Sequence, residues 1–139
     1  MAHDPVAVVR RWFDTLWNER NAAVIDELLT ADSVCHADDG VMRGPDDFRT
    51  RQYEPILAAF PDIRVTVDGL MRDGDEVVVR WTATGRHTGE AMGMRATNRA
   101  VTFRGMSWIR VKDGKLGEGW QMSNIPEVLR RLAEPGGGS

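Results

Sequence analysis

From Val6 to Phe60 the apolar residues of this chain recur every three or four positions; from Ile63 to Ser123 they recur every second position. The first spacing is that of a helix with one buried stripe and the second that of a strand with one buried face. Asp4 can cap a helix opened by Pro5, on which Val6, Val9, Phe13, Leu16 and Trp17 form a single stripe. A polar turn follows at Asn18–Asn21. Asn21 can then cap a second helix carrying Val24, Ile25, Leu28 and Leu29. Ser33–His36 reads as a short strand and Asp38-Asp39-Gly40 as a turn. Gly44-Pro45-Asp46 starts a third helix with Phe48, Gln52, Ile56 and Phe60 on one face, ended by Pro61.

Beyond Pro61, Ile63, Val65 and Val67 alternate with polar residues. Asp73-Gly74-Asp75 turns the chain into a strand over Glu76–Arg86, and His87–Asn98 has little periodicity and reads as a long, mobile connection. Val101–Val111 and Leu116–Ser123 are the next strands, joined at Asp113-Gly114, and Pro126 opens a last helix with Val128, Leu129 and Leu132. Helices first and strands joined by short turns afterwards predict an α+β fold with a mainly antiparallel sheet. Such a length supports one domain, residues 1–134, and Pro135-Gly136-Gly137-Gly138-Ser139 reads as a linker or appended tail.

Composition narrows the function classes. A net charge of −3, with acids and bases interspersed, points away from nucleic acid and anionic membranes as partners. No run reaches the ~18 apolar residues of a membrane span. Cys35 is the single cysteine, so no internal disulfide is expected; with no leader-like segment at the start, the expected location is the cytoplasm.

Strict alternation on the last strand puts Glu118, Trp120, Met122 and Asn124 on one face, and its bulky members predict that this face points inward. Glu118 is then either a general base or a buried partner of Arg80. His36 and His87 are candidate bases because histidine titrates nearest neutrality, against the plainer role of structural hydrogen-bonders. Asn124 either caps the helix that follows or donates to a ligand oxygen. Cys35 and His36 adjoin in sequence but point to opposite faces of a strand, which argues against a nucleophile pair. The histidines and acids lack ligand spacing, so no metal is expected. Trp12, Tyr53, Phe60, Trp81, Met92, Met94, Phe103, Trp120 and Met122 are candidates to line a pocket for a flat, hydrophobic ligand, as are Trp17 and Trp108; the competing role of each is core filling.

Ala59-Phe60-Pro61-Asp62, Gly74-Asp75, Gly85-Arg86-His87-Thr88-Gly89-Glu90 and Asp113-Gly114-Lys115-Leu116-Gly117-Glu118-Gly119-Trp120, in this order, resemble the SnoaL-like polyketide cyclase (ester cyclase) family from about Val9 to Leu132. The resemblance implies a cone-shaped fold of the nuclear-transport-factor-2 type, with N-terminal helices held in a strongly curved sheet around a central pocket. It implies a cofactor-independent cyclase or isomerase acting by acid/base chemistry on a hydrophobic carbonyl compound, and a homodimer joined through the exposed sheet face. It also implies that Asn124 stands where the family's cyclases carry an acid/base aspartate. A non-catalytic small-molecule binder, an interaction domain with a vestigial pocket and an epoxide-hydrolase-like enzyme remain alternatives; the last lacks the expected Asp-Arg-Asp set.

Overall fold

A computed structural model describes residues 4–134; the expected tail at 135–139 lies outside them. The Asp4 carboxylate accepts from the Val6 N–H at 3.0 Å and Pro5 opens helix α1 (Pro5–Arg10). The helix then widens without a break into a π-helical segment, Arg11–Asn18, whose buried side carries Phe13, Leu16 and Trp17. Asn21 accepts from the Ala23 N–H at 3.2 Å as helix α2 (Ala23–Leu28) begins. Strands β1 (Val34–Ala37) and β2 (Gly40–Arg43) then form a hairpin. Strand β2 was not expected, because its apolar pair Val41 and Met42 is too short to show a period. Helix α3 (Gly44–Phe48), a second π-helical segment (Arg49–Tyr53) and helix α4 (Glu54–Ala59) complete the helical half, which stops before Pro61.

Strands β3 (Arg64–Asp73), β4 (Glu76–Arg86), β5 (Ala100–Lys112) and β6 (Lys115–Ser123) follow, and helix α5 (Ile125–Leu132) closes the described chain. The six-stranded sheet has the order β2-β1-β6-β5-β4-β3, with every pair antiparallel except β1–β6. The helices fill one face of this curved sheet. Val9, Leu16, Val24 and Ile25 on the helical side, and Val77, Val79 and Phe103 on the strands, are fully buried. Such burial contributes about 1.5–3 kcal/mol per large aliphatic or phenyl side chain before chain entropy is subtracted. Asn18 fastens the helical half to the sheet edge: its amide donates to the Val65 carbonyl and accepts the Val65 N–H, both at 2.8 Å, as a neighbouring strand would.

One extra residue overturns the expected face of β6. Val111 faces Leu116, but Arg110 faces Glu118, so Gly117 is inserted as a β-bulge. Before it, Leu116 is buried as alternation predicts. After it, every side chain is turned over, as a one-residue shift requires. Gly119, Gln121 and Ser123 therefore oppose the inward Ile109, Ser107 and Gly105. Glu118, Trp120 and Met122 instead share the outer face with Arg110, Trp108 and Met106. Met122 is 79% exposed and Trp120 36%. The expectation that these two look inward is corrected.

The His87–Asn98 connection is irregular, yet tied down. His87 donates its N–H to Arg99 O at 2.9 Å, Asn98 returns its N–H to His87 O at 2.8 Å, and Ala91 and Met94 pack on the core. The His87 ring is fully buried against Phe60, 5.3 Å between centroids. Its Nδ1 accepts the Thr97 N–H at 3.3 Å and lies 3.0 Å from the Thr97 hydroxyl, while Nε2 has no protein partner among the described residues. Nδ1 is therefore the lone-pair nitrogen and the neutral ring carries its proton on Nε2. Burial first, and the Arg99 charge second, hold His87 below the ordinary histidine range. Gly89 lies flat on the end of α4; a Cβ there would stand 1.7 Å from the Ala58 carbonyl oxygen.

These contacts set measurable outcomes. Gly89→Ala must push α4 and the connection apart, at a cost of about 2 kcal/mol or more, and thermal unfolding should show a Tm several degrees lower. For His87 the folded state binds its proton more weakly than the unfolded state. Its stabilising contribution is complete above the unfolded value, about 6.5, and is lost as the pH falls from there through the lower folded value. Urea unfolding from pH 7.5 to 5 should show declining stability. His87→Asn, which does not titrate, should flatten that part of the profile; an unchanged slope would contradict the assignment.

Candidate functional site: an aromatic cavity with neutral polar groups

Between the helices and the concave face of the sheet lies a cavity of about 110 Å³. The π-helical segment supplies Trp12, Phe13 and Trp17; the second helical arm supplies Phe48, Gln52 and Ile56. Widened helical turns often occur at functional sites, and here one carries much of the aromatic wall. The sheet side is built by Val65, Trp81, Ala83, Phe103, Ser107, Ile109, Gly119 and Gln121, with Cys35 and Met42 from the hairpin and Ile125 from α5. Trp12 and Phe48 pack at 4.7 Å and Trp17 and Tyr53 at 5.0 Å between ring centroids, tilted rather than stacked. Offset and tilted contacts of this kind fix ring positions by their quadrupoles as well as by area.

Apart from Glu118 at its edge, the polar groups bordering this space are neutral. Ser33 donates from its hydroxyl to Leu116 O at 2.6 Å. Ser107 accepts from the Trp81 indole N–H at 3.1 Å. Gln121 borders the cavity and donates to Asp38 at 3.2 Å; Gln52 borders it from the helical side. Burial, followed by the charges of Asp38 and Asp39, pushes the Cys35 thiol up to about 11, so it is protonated at neutral pH and unsuited to nucleophilic attack.

The candidates from sequence divide sharply. Trp12, Trp81 and Phe103 border the cavity from inward positions, while Trp120 and Glu118, on outer-face positions, reach only its edge. Phe60 sits behind the wall in the core, and Tyr53 braces the helical arm by donating to Leu16 O at 3.0 Å. Met92 and Met94 lie on the His87–Asn98 connection, and neither they nor Met122 line the cavity. The bases are not gathered inside. His36 lies on the outer face, its Nε2 2.8 Å from Glu118 and its ring stacked on Trp120 at 5.4 Å. Glu118 is paired there with Arg110 at 3.4 Å rather than with Arg80, whose guanidinium lies over Gly69. Arg110 also meets Glu76 at 3.7 Å, and Glu76 accepts from the Trp108 indole at 2.7 Å.

Asn124 neither faces the cavity nor caps α5 with its side chain. Its Oδ1 accepts the Arg104 N–H at 2.8 Å, extending the β5–β6 ladder, while Ser123 Oγ accepts the Ile125 N–H at 3.1 Å. The sequence reading thus missed Gln121 and Ser107. Two glycines flanking Glu118 on a strand are the usual mark of a bulge and were the available signal. Among the described residues no group of three or more His, Cys, Asp or Glu is placed to hold a metal, and no helix is long and apolar enough to cross a membrane.

The same architecture recurs in solved structures. A SnoaL-like polyketide cyclase homologue from Jannaschia sp. CCS1 superposes with a TM-score of 0.83 over 97% of this chain and 99% of its own, at 20% identity. AclR from Streptomyces galilaeus, assigned as a hydroxylase, gives 0.78 at 30% identity, covering 92% and 83%. IdmH from Streptomyces antibioticus, assigned as a polyketide cyclase, gives 0.78 at 25% identity, covering 95% and 100%. No curated protein matches the chain by sequence. The sequence model of the SnoaL-like polyketide cyclases matches residues 7–132, nearly all of the described fold, and the chain belongs to that family.

Proposed function

We propose that this protein binds a small, flat, hydrophobic carbonyl compound in the aromatic cavity, and that it does so without an acid/base group of its own facing the ligand. The carrying observation is the cavity wall: aromatic and aliphatic, with Ser33, Gln52, Ser107, Gln121 and a protonated Cys35 as its neutral polar groups, and with Glu118 at the edge turned to the outer face, where it meets His36 and Arg110. Such a wall gains from burying apolar surface and orients the ligand through a few neutral hydrogen bonds. Charge developing on a reacting carbon would find no base inside the cavity, since the nearest carboxylate, Glu118 at its edge, is held on the outer face by His36 and Arg110. Family membership and the likeness to IdmH support the carbonyl class. The reading requires no cofactor, and the lone cysteine fits a reducing cytoplasm.

An acid/base cyclase or isomerase is the second reading. It is favoured by Glu118 at the cavity edge with His36 2.8 Å away, a pair able to pass a proton if the carboxylate turns inward. 1-Indanone separates the two. On the first reading it should raise the Tm, by an amount corresponding to about 2.7 kcal/mol at a hundred times its Kd. Ala83→Phe, which fills the cavity, should abolish the effect. Its C2 protons should exchange with D2O no faster than in buffer. Accelerated exchange that disappears in Glu118→Gln would establish the enzyme reading instead.

The outer face supports a second copy of the chain as partner. Met106 faces Met122 and Trp108 faces Trp120 across β5–β6, and all four are exposed. Arg110, Glu76 and Glu118 place both signs of charge beside them. An apolar block with mixed charges suits a two-fold, self-complementary contact. Sedimentation should give a dimer for the parent and a folded monomer for Trp108→Glu; a monomeric parent would reject this partner.

A further inference from the structure

We infer that Ser107 is the residue that reads the ligand's carbonyl oxygen, with its proton aimed into the cavity by the Trp81 indole. The inference rests on the proposed carbonyl ligand and adds which atom recognises it. Trp81 Nε1 can only donate, so Ser107 Oγ is the acceptor of their 3.1 Å bond. That bond occupies a lone pair and leaves the serine proton free. No protein group among the described residues accepts it, although the side chain is buried and lines the cavity. A buried hydroxyl proton left without an acceptor is costly, and a ligand oxygen is the partner the site lacks.

The indole is itself held in place. Trp81 faces Gly105 across β4–β5, and a Cβ at Gly105 would stand 2.5 Å from Trp81 Cζ2. Glycine there lets the ring lie against the neighbouring strand, from which Nε1 reaches the residue two positions on. On the other side Ser107 faces Gln121, one N–H of whose amide donates to Asp38 at the cavity's border. Gln121 keeps a second N–H and Gln52 makes no side-chain hydrogen bond among the described residues, but Ser107 is the cavity donor whose lone-pair side is fixed by a buried indole.

The test compares Kd values for 1-indanone and indane, which differ by the carbonyl oxygen. Ser107→Ala should lower the ketone-to-hydrocarbon affinity ratio about three- to tenfold, the worth of one neutral hydrogen bond, while indane binding stays near its original value. Ser107→Thr should keep the ratio. Trp81→Phe, which keeps a ring but loses the N–H, should lower it. An unchanged ratio in Ser107→Ala or in Trp81→Phe overturns the inference while leaving the cavity reading intact, as does a ratio lost only in Gln121→Leu. A parent protein that binds neither compound removes the cavity reading as well.

Discussion

The insertion of Gly117 into β6 decides what this protein presents to a ligand and what it presents to everything else. A strand has two faces and a period of two, so one unpaired residue exchanges them from that point on. Without it, the large side chains at 118, 120 and 122 would project into the space between sheet and helices, where Trp12, Trp17 and Phe48 already sit. With it, the inward positions of the last strand are Gly119, Gln121 and Ser123. Small and polar residues there leave room, and the room is the cavity.

The same exchange sorts the chemistry. The concave side receives aromatic rings and uncharged hydrogen-bonding groups; the convex side receives His36, Glu118, Arg110 and Glu76, joined to the indoles of Trp108 and Trp120. A charge is cheap to keep on the wet side and costly on the dry one unless paired. Among the described residues His87 is the histidine that the fold buries, and it is accommodated neutral, accepting from the Thr97 backbone.

Much of the architecture was legible because it depends on periods that survive in sequence. The stripe from Val9 to Trp17, the proline that ends the second helical arm and the alternation along β4 and β5 each correspond to an observed element. The site was less legible because it depends on counting. Alternation carried forward from Leu116 gave the wrong face for each residue after Gly117, and with it the wrong setting for Glu118 and Met122. Asn124 suggested a cap from its place before Ile125-Pro126, yet its side chain completes a strand ladder and the neighbouring serine serves as the cap. Hydrogen-bond partners separated by about twenty residues leave no local mark. Ser107, flanked by Met106 and Trp108, gave no sign that an indole from another strand would orient it.

Gly105 and Trp81 give the sheet an unusual property at its centre. Trp81 and Ser107 border both the inner cavity and the shallow groove on the outer surface. At that spot the barrier between the two compartments is a single layer of backbone with one indole laid against it. Substitutions that reshape the chamber there also redraw the exterior, and changes that adapt the exterior intrude on the chamber. Selection acting on either property is therefore confined to substitutions both surfaces tolerate, and these few positions should diversify together rather than one at a time.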